Sequence, residues 1–319
     1  MNRRDFLKQG TTTASLALTA GIVEGKTTPS KPIPRRTLGK TGESLSIVGM
    51  GGIVVMGATQ DFANNIVAEA VDRGVNYMDI APSYGDAQDR LGPALAPYRQ
   101  KVFLACKTGK YDRAGSAAAL DDSLKRLRTD HVDLYQLHAI TTIEQVDQAL
   151  GPNGAIETFV AARKAGKVRY LGFSAHSESA AIAAMDRFDF DTILFPTNFV
   201  LFSQGNFGPR VIVHAQKKNM GRLAIKAMAK TSWPKSMTQD QHWYQKCWYE
   251  PCSMPDEASL AYRWTLSQPI TAAIPPGYAT FFRLAIDVAQ NYKPLSQEEE
   301  KELMARAQGV HPIFPQHEA

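Results

Sequence analysis

Eight short apolar runs punctuate this chain, at residues 46–49, 76–79, 102–107, 134–138, 170–174, 192–196, 223–226 and 272–275. Between them lie stretches with helical patterning, among them 65–73, 116–128, 177–187, 210–218 and 256–267. That alternation restricts the fold more than any other feature. Strands separated by helices pair in parallel, because a parallel neighbour is reached only through a crossover. Eight of them argue for closure. The expectation is an α/β fold, a (β/α)8 TIM barrel, with no internal boundary in the series. A length of 319 residues accommodates it, since such barrels take ~250 residues plus extensions.

Three of the first four runs finish on an ionisable side chain: 76–79 on Asp79, VFLAC on Lys107, and VDLYQL on His138. Five residues after Asp79, Tyr84 stands against Gly85 in a loop that then opens a helix. Barrels carry their chemistry at the C-terminal ends of the strands. Each residue alone has a plainer reading: Asp79 as a helix cap, Lys107 as a solvated strand end, His138 as a hydrogen-bonded structural histidine, Tyr84 as a loop aromatic. Together they interlock. A phenol of pKa about 10 is a poor acid at neutral pH. A cation ~4 Å from its oxygen, worth roughly 4 kcal/mol at an effective dielectric near 20, favours the phenolate and eases proton release. Lys107 can be that cation only while protonated, and a lysine buried at a strand end keeps its proton when a carboxylate holds it. Asp79 would be the carboxylate.

Asp79, Tyr84, Lys107 and His138 in this order, with the segments YMDIAPSYG and DLYQLH, resemble the aldo-keto reductases over about residues 35–303. The resemblance implies reversible reduction of an aldehyde or ketone to an alcohol by a nicotinamide cofactor. Tyr84 would be the general acid, Lys107 and Asp79 would tune it, and His138 would orient the carbonyl. It also implies that residues 35–52 hold a hairpin plugging the barrel bottom and then the first strand. The GKT within that stretch is no phosphate-binding loop, because no glycine precedes it at the spacing such a loop requires. Nor do Gly49, Gly51 and Gly52 make a dinucleotide fingerprint, since Val54 replaces the third glycine.

Cofactor contacts implied by the resemblance are Gly51, Ser174, His176, Lys226, Gly277, Thr280, Arg283 and Asp287. Arg283 favours NADP(H) over NAD(H), a guanidinium suiting a planar phosphate face; Gly277 stands where some members carry a lysine. Ala175 replaces a common asparagine, so its hydrogen bond is lost or passes to His176. A second reading from the same resemblance is a non-catalytic, nicotinamide-sensing regulatory subunit. No metal is expected: three cysteines match no zinc spacing, and none follows Cys252 to hold an iron-sulfur cluster.

Residues 1–25 are set apart from the fold. Asn2-Arg3-Arg4-Asp5-Phe6-Leu7-Lys8 resembles a twin-arginine export signal, followed by a small-residue, threonine-rich stretch at 11–22. That stretch is too short for a membrane span of about 20 apolar residues. It implies the twin-arginine translocation machinery as a partner and a periplasmic location, or a cytoplasmic one if the signal is not used. Residues 26–34, with three prolines, read as a linker, and 35–319 as the barrel. Arg3, Arg4 and Lys8 against Asp5 account for +2 of the formal +5, and no basic run remains to track a phosphate backbone, so nucleic acid is excluded as partner. A long aromatic loop follows the seventh strand at 231–255, with Trp233, Trp243, Tyr244, Trp248 and Tyr249; it is expected to wall the pocket of a small-molecule carbonyl substrate.

Overall fold

The computed structural model describes residues 31–314; residues 1–25, read from the sequence as an export signal, and residues 26–30 of the expected linker lie outside the described residues. The chain opens with an antiparallel hairpin, β1 (Arg35–Thr37) and β2 (Ser44–Ser46), in the register Arg36 opposite Leu45. Its turn presses against the protein: a Cβ on Gly39, whose φ is +52°, would lie 2.2 Å from the Gly221 nitrogen. Lys40 N–H also donates to the Asn219 carbonyl at 2.8 Å.

The barrel strands follow as β3 (Met50–Gly51), β4 (Tyr77–Asp79), β5 (Phe103–Thr108), β6 (Val132–Ile140), β7 (Val168–Ala175), β8 (Thr192–Pro196) and β9 (Gly221–Ile225). A ribbon of β10 (Ala229–Ser232) and β11 (Tyr249–Pro251) intervenes before the last barrel strand, β12 (Ala272–Ala273). The eight-stranded parallel sheet runs in chain order from β3 to β9 and then β12. It closes where Gly49 N–H donates to the Ala273 carbonyl and Ala273 N–H to the Ile47 carbonyl, both at 3.0 Å. The fold is the (β/α)8 barrel, as expected.

Two apolar layers hold it. Inside the barrel, Tyr77, Phe103, Leu134, Leu194 and Leu223 pack with Leu38 and Leu45 of the hairpin, which seals the lower end. Outside, buried residues such as Met78, Leu104, Tyr135 and Phe173 meet the helices. Neighbouring residues in a strand thus serve opposite layers, the period of two that a pleated strand requires.

Some boundaries moved. The first run, 46–49, splits: Ser46 ends the hairpin, held by Asn76 Oδ1 accepting from its N–H at 2.7 Å, and the parallel pairing with β4 starts at Met50. The helix expected at 65–73 spans Gln60–Asp72 because Thr59 caps it, its hydroxyl accepting from Phe62 N–H at 3.2 Å. The aromatic loop is irregular only in its middle, since β10 and β11 pair its ends.

Candidate active site

Strand ends deliver the side chains. Asp79 closes β4, Lys107 lies in β5 one residue before its end, and His138 sits near the end of β6. Tyr84 comes from a tight turn after β4, in which its N–H donates to the Ala81 carbonyl at 3.2 Å and Ala87 N–H to its carbonyl at 3.0 Å. Gly85 next to it takes φ +56°, which a glycine adopts without strain. A bulge aims His138: the β6–β7 register shifts between Leu137 and Ile140, and Ala139 has φ +57°. The Ser174 hydroxyl accepts from Ala139 N–H at 2.7 Å and so fixes that bulge.

At the centre is a buried ion pair between Lys107 and Asp79, each nearly inaccessible to water. Lys107 Nζ also donates to the Ile80 carbonyl at 3.3 Å. The Tyr84 and His138 rings meet edge to face, 5.9 Å between centroids, and Lys107 Nζ lies 5.6 Å from the Tyr84 centroid. Burial acts to strip the lysine of its proton, but Asp79 and then Tyr84 more than offset that, so its pKa is raised. His138 is driven down to about 3 by burial and by the Lys107 and Lys226 ammoniums, so it is a neutral imidazole at physiological pH. Tyr84 departs from expectation. Lys107 does pull its phenol down, but loss of water outweighs the lysine and the phenol stands above its ordinary value.

One cavity of about 220 Å³ is lined by Gly51, Asp79, Tyr84, Lys107, His138, Ser174, His176, Lys226 and Gly277, nine of the twelve residues expected at the site. Lys226, at φ +61°, has no ion pair among the described residues; its Nζ lies 5.2 Å from the Trp248 ring centroid and 5.3 Å from that of Tyr249. Burial lowers it to about 8. His176 stacks on Phe314 at 5.0 Å, and its buried Nε2 has no hydrogen-bond partner among the described residues. A Cβ on Gly277 would lie 2.3 Å from the Ile53 side chain, so Ile53 already fills the space that a side chain there would need.

The other three lie apart. Thr280 borders a neighbouring cavity of about 570 Å³, which shares Lys246 with the first. Arg283 is paired with Glu69 at 2.8 Å, and Asp287 with Arg73. The site also includes Lys246, Cys247, Trp248 and Tyr249 from the aromatic loop. Its aromatics signalled a pocket wall; nothing in the sequence marked Lys246, whose Nζ donates to the Ile53 and Val54 carbonyls at 3.3 Å. A groove of about 540 Å³ between the helices Arg113–Leu127 and Ala155–Lys164 is larger but holds none of the strand-end side chains. All three cysteines are buried free thiols. Among the described residues no cluster could hold a metal, and no helix is long and apolar enough to cross a membrane.

The family model described as "Aldo/keto reductase family" matches residues 48–299. The chain is similar to 6-dehydroglucose reductase of Novosphingobium aromaticivorans, 34% identical over 49% of this chain and 57% of that protein. It is also similar to L-galactose dehydrogenase of Arabidopsis thaliana, 32% identical over 44% and 48%. The chain spans about half the length of the curated relatives it matches. An aldo-keto reductase of Bacillus halodurans, solved in a holo form, shares the fold with a TM-score of 0.67 at 21% identity, over 89% of this chain and 99% of that one.

Proposed function

This chain belongs to the aldo/keto reductase family, and from that premise we propose that it reversibly reduces an aldehyde or ketone with a nicotinamide dinucleotide, NADP(H) ahead of NAD(H). The observation that carries the reading is the buried Lys107–Asp79 pair beside Tyr84 and His138 in one cavity at the strand ends. The names of two relatives, a reductase and a dehydrogenase of sugars, support the reaction class.

A dinucleotide suits the residues present. His176 Nε2, which has no partner among the described residues, and the Lys226 ammonium without a carboxylate leave polar capacity for it. Gly51, Ser174, His176, Lys226 and Gly277 would hold its nicotinamide half, and Thr280, Arg283 and Asp287 its adenosine half. When bound, the nicotinamide supplies a hydride to the carbonyl carbon.

The chain's own residues do the rest. Tyr84 gives its hydroxyl proton to the carbonyl oxygen as negative charge gathers there. Lys107 stabilises the phenolate left behind, and Asp79 keeps Lys107 charged. Neutral His138 donates a ring N–H to the same oxygen and fixes its direction. The four assembled side chains favour turnover over a purely sensing role. Mixing the purified protein with NADPH or NADH and a panel of small carbonyls tests this: coupled oxidation of the cofactor is expected, and none with any carbonyl would refute it.

Cofactor choice depends on Arg283, which would turn from Glu69 to the 2′-phosphate. Arg283→Ala is expected to weaken NADPH binding about tenfold, as for an exposed charge-assisted bond, and leave NADH binding unchanged. Equal weakening of both in a cofactor-fluorescence titration would argue against NADP(H). We assign export to the twin-arginine signal read at residues 2–8. Fractionation of cells making an Arg3→Lys, Arg4→Lys variant should find it retained in the cytoplasm, with the wild type in the periplasm.

A further inference from the structure

Asp79 is held by more than its lysine. Lys107 occupies Oδ1, while Oδ2 accepts from the Tyr77 hydroxyl and from the Gln136 amide, each at 3.2 Å. Both donors are fully buried. The barrel register sets them there. Tyr77 lies two residues before Asp79 on β4 and therefore points the same way into the interior. Gln136 is the direct neighbour of Lys107 across the β5–β6 pairing. A carboxylate only accepts, which assigns the amide nitrogen of Gln136 to this contact and leaves its buried Oε1 without a partner among the described residues.

We propose that Tyr77 and Gln136 are positioning residues of the reaction, a two-donor clamp that keeps the proton of the buried pair on Lys107 rather than on Asp79. In a dry site a lysine and an aspartate can relieve their desolvation by passing the proton across, which leaves two neutral groups. Every hydrogen bond to the carboxylate opposes that transfer, because it stabilises the ionised form more than the neutral acid. The neutral pair would still pack, but it would present no cation to Tyr84. Tyr77 thus has a use apart from filling the interior. Gln136 accepts one orphaned oxygen in exchange for a donor on Asp79. Neither touches the reacting atoms; both act through the pair.

The inference rests on the proposed reductase reading, and one measurement keeps the two apart. Absorbance titration of each variant, minus the same variant carrying Tyr84→Phe, isolates the Tyr84 phenol without any turnover. In Gln136→Leu and Tyr77→Phe the phenolate is expected to form at higher pH than in wild type, with kcat about tenfold lower and KM unchanged. Losing one donor to the buried pair moves the cation; a packing defect alone would leave the phenol where it was. A Tyr84 midpoint unchanged in both variants overturns the clamp whatever their activity. A shifted midpoint in a protein that reduces no carbonyl would keep the clamp and reject the reductase reading.

Discussion

Tyr84→Phe is expected to lower kcat/KM for carbonyl reduction by about 10²–10⁴-fold, the usual contribution of a positioned general acid. Only the hydroxyl is lost. The ring keeps its edge-to-face contact with His138, so the cavity wall and the imidazole stay in place. Cofactor affinity should therefore hold while the chemical step slows, a loss of about 2.7–5.5 kcal/mol of transition-state stabilisation. His138 will not substitute, because burial and two nearby ammoniums keep it unprotonated at neutral pH. Steady-state kinetics with the best carbonyl substrate decide the matter; a decrease of less than about tenfold would remove Tyr84 from the role of acid.

Lys107→Met should be equally severe for catalysis and, unlike the tyrosine change, should also destabilise the fold. Methionine fills much the same volume, but Asp79 is left buried with two neutral donors and no counter-charge. Breaking a buried pair from one side typically costs about 3–5 kcal/mol, which for a chain of this size lowers Tm by several degrees or more. Activity should fall up to about 10³-fold, the equivalent of the ~4 kcal/mol attraction between close charges at an effective dielectric near 20. The double variant Lys107→Met, Asp79→Asn separates the effects. Removing the orphaned carboxylate should restore much of the stability and none of the activity. Recovery of activity along with stability would mean that the pair is structural only.

The fold was legible because a parallel barrel writes its own periodicity, and several strand ends announced themselves by a polar residue after an apolar run. Asp79, Lys107 and His138 were readable for that reason. What stayed hidden depends on neighbours distant in the chain. The left-handed turn at Ala139 has no marker in a residue that ordinarily avoids it, and its support, Ser174, lies a strand away. Arg283 looked free in the sequence; Glu69, which pairs with it, stands 214 positions earlier. The Tyr84 phenol is raised because burial, invisible to residue spacing, acts more strongly than the nearby ammonium. Lys246 enters the cavity because the ribbon β10–β11 folds its loop over the barrel mouth, a pairing with no repeat in the sequence.

All of these roles require that Lys107 act on Tyr84 as a charge. The difference titration of the Tyr84 phenol, run in wild type and in Lys107→Met, measures that influence without substrate or cofactor. The account predicts that phenolate formation moves to higher pH once the ammonium is gone; the same midpoint in both proteins would contradict it.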